Sequence, residues 1–276
     1  MIGHSLIANI RNAERSVMIS DDDLAALQQQ VENAPPADRA FAARVAAGPS
    51  VQYAGFRIPD LGIRIWLDVI FADGKSARQS PGLEKWLFDR FLAAGGAVNA
   101  DELKRLNNLF TVRLPPTSAS APAFDPAEWW KNDPHAKCYP YALNVHGYPN
   151  AVPGCISCGA QPTFKGCGPI AQGCIHDGLA PWDSGNPPQG DGHFVALFSE
   201  PDSDKGVQIH FHRLDANGLW SEKADNDLPT QEDFSGKLVV EPRITQPIDE
   251  TIVFCQFFWV PAGLVAPLPK AVKMRH

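Results

Sequence analysis

At 276 residues the chain is long enough for one large domain or two modest ones, either able to bury a core without metal or disulfide staples. Its 31 acidic side chains outnumber its 24 basic ones, and no Lys/Arg cluster interleaves with aromatics, which argues against a nucleic-acid partner. The start, MIGHSLIANIRNAERSVMIS, lacks the basic leader, apolar run and small-residue cleavage site of a secretory signal, and no apolar tract reaches bilayer-spanning length. The expectation is a cytoplasmic protein, or one exported without a cleavable signal peptide, and no membrane span.

Ser20 followed by Asp21, Asp22 and Asp23 marks a helix start, and LAALQQQVEN continues it at helical spacing until APP ends it. ADRAFAARVAAG predicts a second helix closed by Gly48 and Pro49. VQYAGFRI and IRIWLDVIF each read as a strand. Ser80 and Pro81 then open a helix over LEKWLFDRFLAA, and Asn99 with Glu102 forms a capping box for DELKRLNNLF. FADGKSARQSPG contains Gly and Lys without the spacing of a phosphate-binding loop, so no nucleotide role follows.

LPPTSASAPAFDP is rich in Pro, Ser and Ala and lacks periodicity, which predicts an extended connector. The domain expectation is therefore a mixed helix/strand accessory domain over 1–113, a linker over 114–126 and a second domain over 127–276. Beyond the connector come helices at EWWKN and YPYALNVH, a Gly/Pro/Cys-rich loop, then strands at HFVALF, VQIHFHRL, KLVVEP and IVFCQFFWV. A cysteine-bearing helix before an antiparallel sheet is an α+β layout.

KCYPYALN places Cys138 directly before a short helical segment, with Pro140 where its missing N–H costs nothing. A cysteine attacks as the thiolate, which unpaired N–H groups at a helix start favour and which a neighbouring imidazole stabilises and later uses to protonate the leaving group. Three histidines stand in strand contexts. His193 opens HFVALF, while His210 and His212 share one face of VQIHFHRL by two-residue alternation. Asn132 precedes Cys138 closely enough to be a candidate oxyanion donor beside the Cys138 N–H.

The order of cysteine, strand-edge histidine and polar strand residue resembles the papain-like cysteine hydrolases, especially the NlpC-like peptidase and amidase branch. CYPYALN, CGPIAQGCIHDGL, GHFVALF, IHFHRLDANGLWSEK and FCQFFWVP further resemble a little-described bacterial family with Cys-Tyr-x-Tyr-Ala and His-x-Tyr-Arg-x-Asp-x-x-Gly-x-Trp-Ser segments. The resemblance covers the second half of the chain and none of the first. It implies a papain-like C-terminal domain with Cys138 as nucleophile, His193 as general base and His210 as the orienting third member. His212 falls where that family has Tyr, and Glu222 stands where it has His, so a role for a histidine there is absent.

The implied function is a cysteine-dependent hydrolase, a peptidase or amidase acting through an acyl-enzyme without a cofactor. Peptide or protein, cell-wall peptide included, is the implied substrate, and the first domain is a candidate to bind a protein partner. The alternative is a non-catalytic binding or effector module on the same scaffold. Cys155, Cys158, Cys167 and Cys174 offer it a structural zinc site or disulfides, and the His-x-His pair is itself a metal-binding pattern. Cys255, inside an apolar strand, and Asp215, in a hairpin turn, read as structural.

Overall fold

A computed structural model describes residues 3–11, 13–47, 53–72, 75–154, 166–182, 188–199, 209–224, 226–244 and 252–264. The chain divides into two compact units, Met1–Arg113 with Arg243–Gln246, and Leu114–Pro242 with Pro247–His276. Both combine helices with antiparallel sheet, so the protein is α+β. Among the described residues no helix is long and apolar enough to cross a membrane.

The first unit opens with a hairpin that was not anticipated, β1 (His4–Ile10) and β2 (Ala13–Ile19). Its signal is the alternation that buries Leu6, Ala8 and Ile10 on one face of β1. After α1 (Asp21–Asn33), capped as expected by Ser20, and α2 (Arg39–Ala47), the chain enters β3 (Tyr53–Ile58). Gly48 and Pro49, expected to close α2, lie outside the described residues.

IRIWLDVIF, expected to be one strand, is instead two: β4 (Ile63–Trp66) and β5 (Val69–Ala72). Leu67 and Asp68 turn between them with φ of 51° and 60°, the left-handed pair that a two-residue hairpin requires. Apolar residues dominate both strands, with Ile63, Ile65, Trp66, Val69 and Ile70 buried, so hydrophobicity concealed the turn. Gly55 is obligatory here, since a Cβ on it would stand 2.0 Å from the Ile65 carbonyl oxygen.

With the short β6 (Arg78–Gln79) the sheet runs β2-β1-β3-β4-β5-β6. α3 (Leu83–Ala93) and α4 (Ala100–Thr111) complete the unit, and both halves of the Asn99/Glu102 capping box form. Within this core Glu84 is buried, accepting from the Tyr53 hydroxyl at 2.7 Å and the Asp68 N–H at 3.2 Å. Burial, and then the nearby Asp68 charge, push its carboxyl up to about 8.

The second unit begins at Leu114 with an irregular stretch that is fastened down. Ser120 Oγ donates to the Gly192 carbonyl and accepts from the Gly192 N–H, while Ala216 N–H donates to Pro122. Then come α5 (Pro126–Asn132), α6 (Cys138–Leu143) and α7 (Cys167–His176). The Cys/Gly/Pro-rich stretch was expected to be loop, but its second part is this helix, with Ile170 and Cys174 buried.

β7 (Ala180–Pro181), β8 (Gly192–Ser199), β9 (Ile209–Leu214), β10 (Trp220–Glu222) and β11 (Val253–Pro261) form a sheet in the order β10-β9-β8-β11-β7. KLVVEP does not extend it as a strand; it contributes an isolated bridge, Glu232 to Leu238, and leads into a 3-10 turn at Pro242–Ile244. Tyr139, Ala142 and Leu143 of α6 and Ile170 of α7 pack with Val195, Leu197, Phe211 and Phe258, so both helices cover one face of the sheet.

The cysteine expectations are also revised. Cys167 and Cys255 form a disulfide across 88 residues of sequence, tying the start of α7 to β11. Cys167 therefore cannot join Cys155, Cys158 and Cys174 as a zinc thiolate, and Cys255 does more than fill the core. Cys174 is a free, buried thiol, and Cys155 and Cys158 lie outside the described residues.

Two outcomes follow. Between pH 4.5 and about 8 the folded chain keeps a proton on Glu84 that the unfolded chain has released, so stability falls as pH rises through that window. Glu84→Gln should flatten that part of the stability profile in urea titrations at successive pH values. Cys255→Ser should lower unfolding stability by roughly 2–4 kcal/mol, the usual worth of a long-loop disulfide, measured by the same titrations.

Candidate functional site

Cys138 is the first residue of α6, as Pro140 in the first turn requires, and its side chain is half-buried. The helix is short because Asn144 takes the left-handed conformation that ends it. α6 seats this end against β9. β10 stops opposite His212, leaving the β9 edge open at Ile209, and there Cys138 Sγ donates to the Ile209 carbonyl at 3.5 Å.

The next residue, His210, is the imidazole that meets the thiol. Its ring interacts with the Cys138 side chain, and its Nε2 hydrogen-bonds Glu222 Oε2. Nε2 being committed to Glu222, Nδ1 is the ring nitrogen left for Cys138. Burial alone would depress His210, but hydrogen bonds with Cys138 and Glu222, reinforced by the Glu222 charge, hold it up at about 10. Burial likewise opposes ionisation of Glu222, yet the bonds and charges of His210 and His212 hold that carboxyl far below the usual range. The result is a buried imidazolium–carboxylate pair with a thiol on its other side.

His212 shares the carboxylate, with Nε2 3.3 Å from Glu222 Oε2, and stands edge-on to His210 with ring centroids 5.1 Å apart. Burial lowers its proton affinity against the pull of Glu222, and its Nδ1 is buried without a hydrogen-bond partner.

The expected pairing of Cys138 with His193 is not the one the structure makes. His193 Nε2 donates to the Ala142 carbonyl at 2.7 Å, near the far end of α6. Burial lowers its proton affinity to about 4, so it is a neutral donor at physiological pH. In the β8–β9 register Phe198 lies opposite His210, and His193 is five residues before Phe198, an odd count. The two histidines are thus on opposite faces and roughly 16 Å apart along the sheet. Asn132 ends α5 and is exposed, separated from Cys138 by the turn at Asp133–Ala136, whose Ala136 N–H donates to Asp133.

The residue that sequence reasoning passed over is Glu222. It pairs directly with His212 across β9–β10. A carboxylate on a short strand directly after the hairpin turn was the available signal. A second omission is the buried group behind it. Arg213 donates to Asp215 at 2.8 Å, to Asn144 at 3.0 Å and to the Tyr141 hydroxyl at 3.1 Å, and Tyr141 bonds Ser221 at 2.6 Å. Lys223 Nζ donates to the Pro134 carbonyl at 3.0 Å, so the strand end after Glu222 also holds the turn before Cys138.

No family model matches the chain, and no solved structure matches it. Among curated proteins, insoluble matrix shell protein 1 of Ruditapes philippinarum is 34% identical over 119 residues, which are 42% of this chain and 76% of that protein.

The electrostatics have a direct consequence for His210. Its stabilising charge is present below the imidazole value of 6.5 and is lost as pH rises through about 10. In wild-type protein the His210 ring resonances should show the protonated form through neutral pH. Glu222→Gln should bring that titration down toward the ordinary imidazole range in imidazole-detected NMR.

Proposed function

This chain belongs to the same family as insoluble matrix shell protein 1, and we propose that its second unit is a papain-like cysteine hydrolase built on Cys138, His210 and Glu222. The observation that supports this most is His210 held between a half-buried thiol and a buried carboxylate. Glu222 fixes the ring and favours its charged form, which sets an imidazolium proton beside the Cys138 sulfur.

In this reading the thiolate attacks the carbonyl carbon of an amide or thioester. His210 gives its proton to the departing amine or thiol, leaving an acyl group on Cys138. Water then attacks that acyl carbon, His210 accepts its proton, and the S–C bond breaks to release a carboxylic acid and restore the pair. His193 takes no part; it anchors α6 through Ala142. The substrate class is peptide or protein. The Cys167–Cys255 disulfide favours an oxidising compartment, and with it the exported alternative over the cytoplasmic one.

A second reading rests on the relative's own description as a matrix protein: a non-catalytic matrix-binding module that keeps the scaffold. Labelling with iodoacetamide at about pH 6, resolved by residue with mass spectrometry, separates the two, because only an activated thiolate reacts quickly there. Cys138 should label rapidly in wild type and in His193→Ala, and at least tenfold more slowly in His210→Ala, a conservative figure beside the roughly 10²-fold typical of a positioned acid or base. Slow labelling in wild type, unchanged by His210→Ala, would leave the matrix-binding reading.

A further inference from the structure

His210, His212 and Glu222 are drawn from two neighbouring strands, and all three are more than nine-tenths buried. Each offers one ligand atom toward the others, and these atoms lie within 4.8 Å of one another. Two ligands held about 2.1 Å from a tetrahedral ion stand roughly 3.4 Å apart. The 3.3 Å between His212 Nε2 and Glu222 Oε2 already has that spacing. The strands enforce it, since Glu222 is the direct cross-strand partner of His212, and His210 is the next residue along the same face of β9.

Two imidazole nitrogens and one carboxylate oxygen are a donor set suited to Zn²⁺, with one coordination position left open. His212 fits such a role better than a purely structural one. Its Nε2 contact with Glu222 spends an oxygen that His210 also uses, so one carboxylate oxygen faces two ring nitrogens. The Asp233 carboxylate adds a second negative charge acting on His212.

We infer that His210, His212 and Glu222 form a binding site for a divalent transition ion of the zinc class. Binding replaces the protons held between the two rings and the carboxylate, which leave to solvent as the two Nε2 atoms and Oε2 take the metal. An ion on Nε2 of neutral His210 leaves the ring proton on Nδ1. The ring can then donate to a Cys138 thiolate but cannot accept the thiol's proton, so the metal-bound chain is a blocked form of the hydrolase proposed above. That consequence rests on the hydrolase reading, whereas the site itself does not.

The test is calorimetric titration of chelator-stripped full-length protein with zinc chloride, together with imidazole-detected NMR of the wild type. One ion per chain is expected, with the Nε2 resonances of both His210 and His212 shifting on saturation. Cys138→Ala should bind equally well. His212→Ala and Glu222→Gln should each weaken binding by more than the roughly 10–100-fold that follows loss of an outer-shell partner.

Absence of saturable binding overturns the inference. So does an unchanged affinity in both variants with native circular dichroism, which would place the ion elsewhere. If His212→Ala fails to fold, the wild-type resonances decide alone: shifts confined to other histidines sink the site. Zinc binding through these residues beside an inert Cys138 would keep the metal site and defeat the hydrolase reading.

Discussion

The second unit depends on one buried cation. Arg213 is fully buried on β9, and its guanidinium is divided among Asp215 beyond the end of its own strand, the Tyr141 hydroxyl on α6 and Asn144 at the α6 C-cap. It also lies over the Tyr141 ring at 4.3 Å. Leaving such a charge unpaired is costly, about 3–5 kcal/mol when one partner of a buried pair is removed, so helix and strand are confined to the arrangement that satisfies it. Tyr141 passes the constraint on to Ser221 of β10. The helix with Cys138, the strand with His210 and the strand with Glu222 are therefore held to one another by a charge that itself does no chemistry.

The sheet edge turns that rigidity into a site. Because β10 pairs only from Leu214 to His212, it brings Glu222 beside the histidines and ends in time to leave Ile209 open to Cys138. A longer β10 would close that edge. Beyond it Lys223 reaches back to Pro134, and Asn226 bonds His135, so the chain after the carboxylate holds the turn that presents the cysteine. The two stretches are distant in sequence and joined by these contacts.

Within the site, desolvation and pairing act in opposition, and pairing wins where partners are charged. His210 and Glu222 are both buried, yet each keeps the other ionised. His193, buried as deeply, has only a neutral carbonyl partner and stays neutral. Two histidines on adjacent strands of one sheet thus end in opposite protonation states because of the partners the fold gives them. His212 lies between these cases, near the same carboxylate as His210 but second in the claim on it.

The sequence by itself determined the α+β class, the capped helices and the position of Cys138 at a helix start, because each depends on residues close together in the chain. Local signals failed where burial hid them: the turn at Leu67 and Asp68 lies inside an apolar run, and α7 lies in a stretch punctuated by glycine and cysteine. Alternation correctly put His210 and His212 on one face, but it could not say that the start of the cysteine helix would lie against the Ile209 end of β9 or where β10 would end. Only the tertiary structure decided that His210 rather than His193 meets Cys138, that Glu222 completes the cluster, and that Cys167 pairs with Cys255. Those choices are made by strand register and by a buried charge seeking partners, and both bring together residues that no local pattern links.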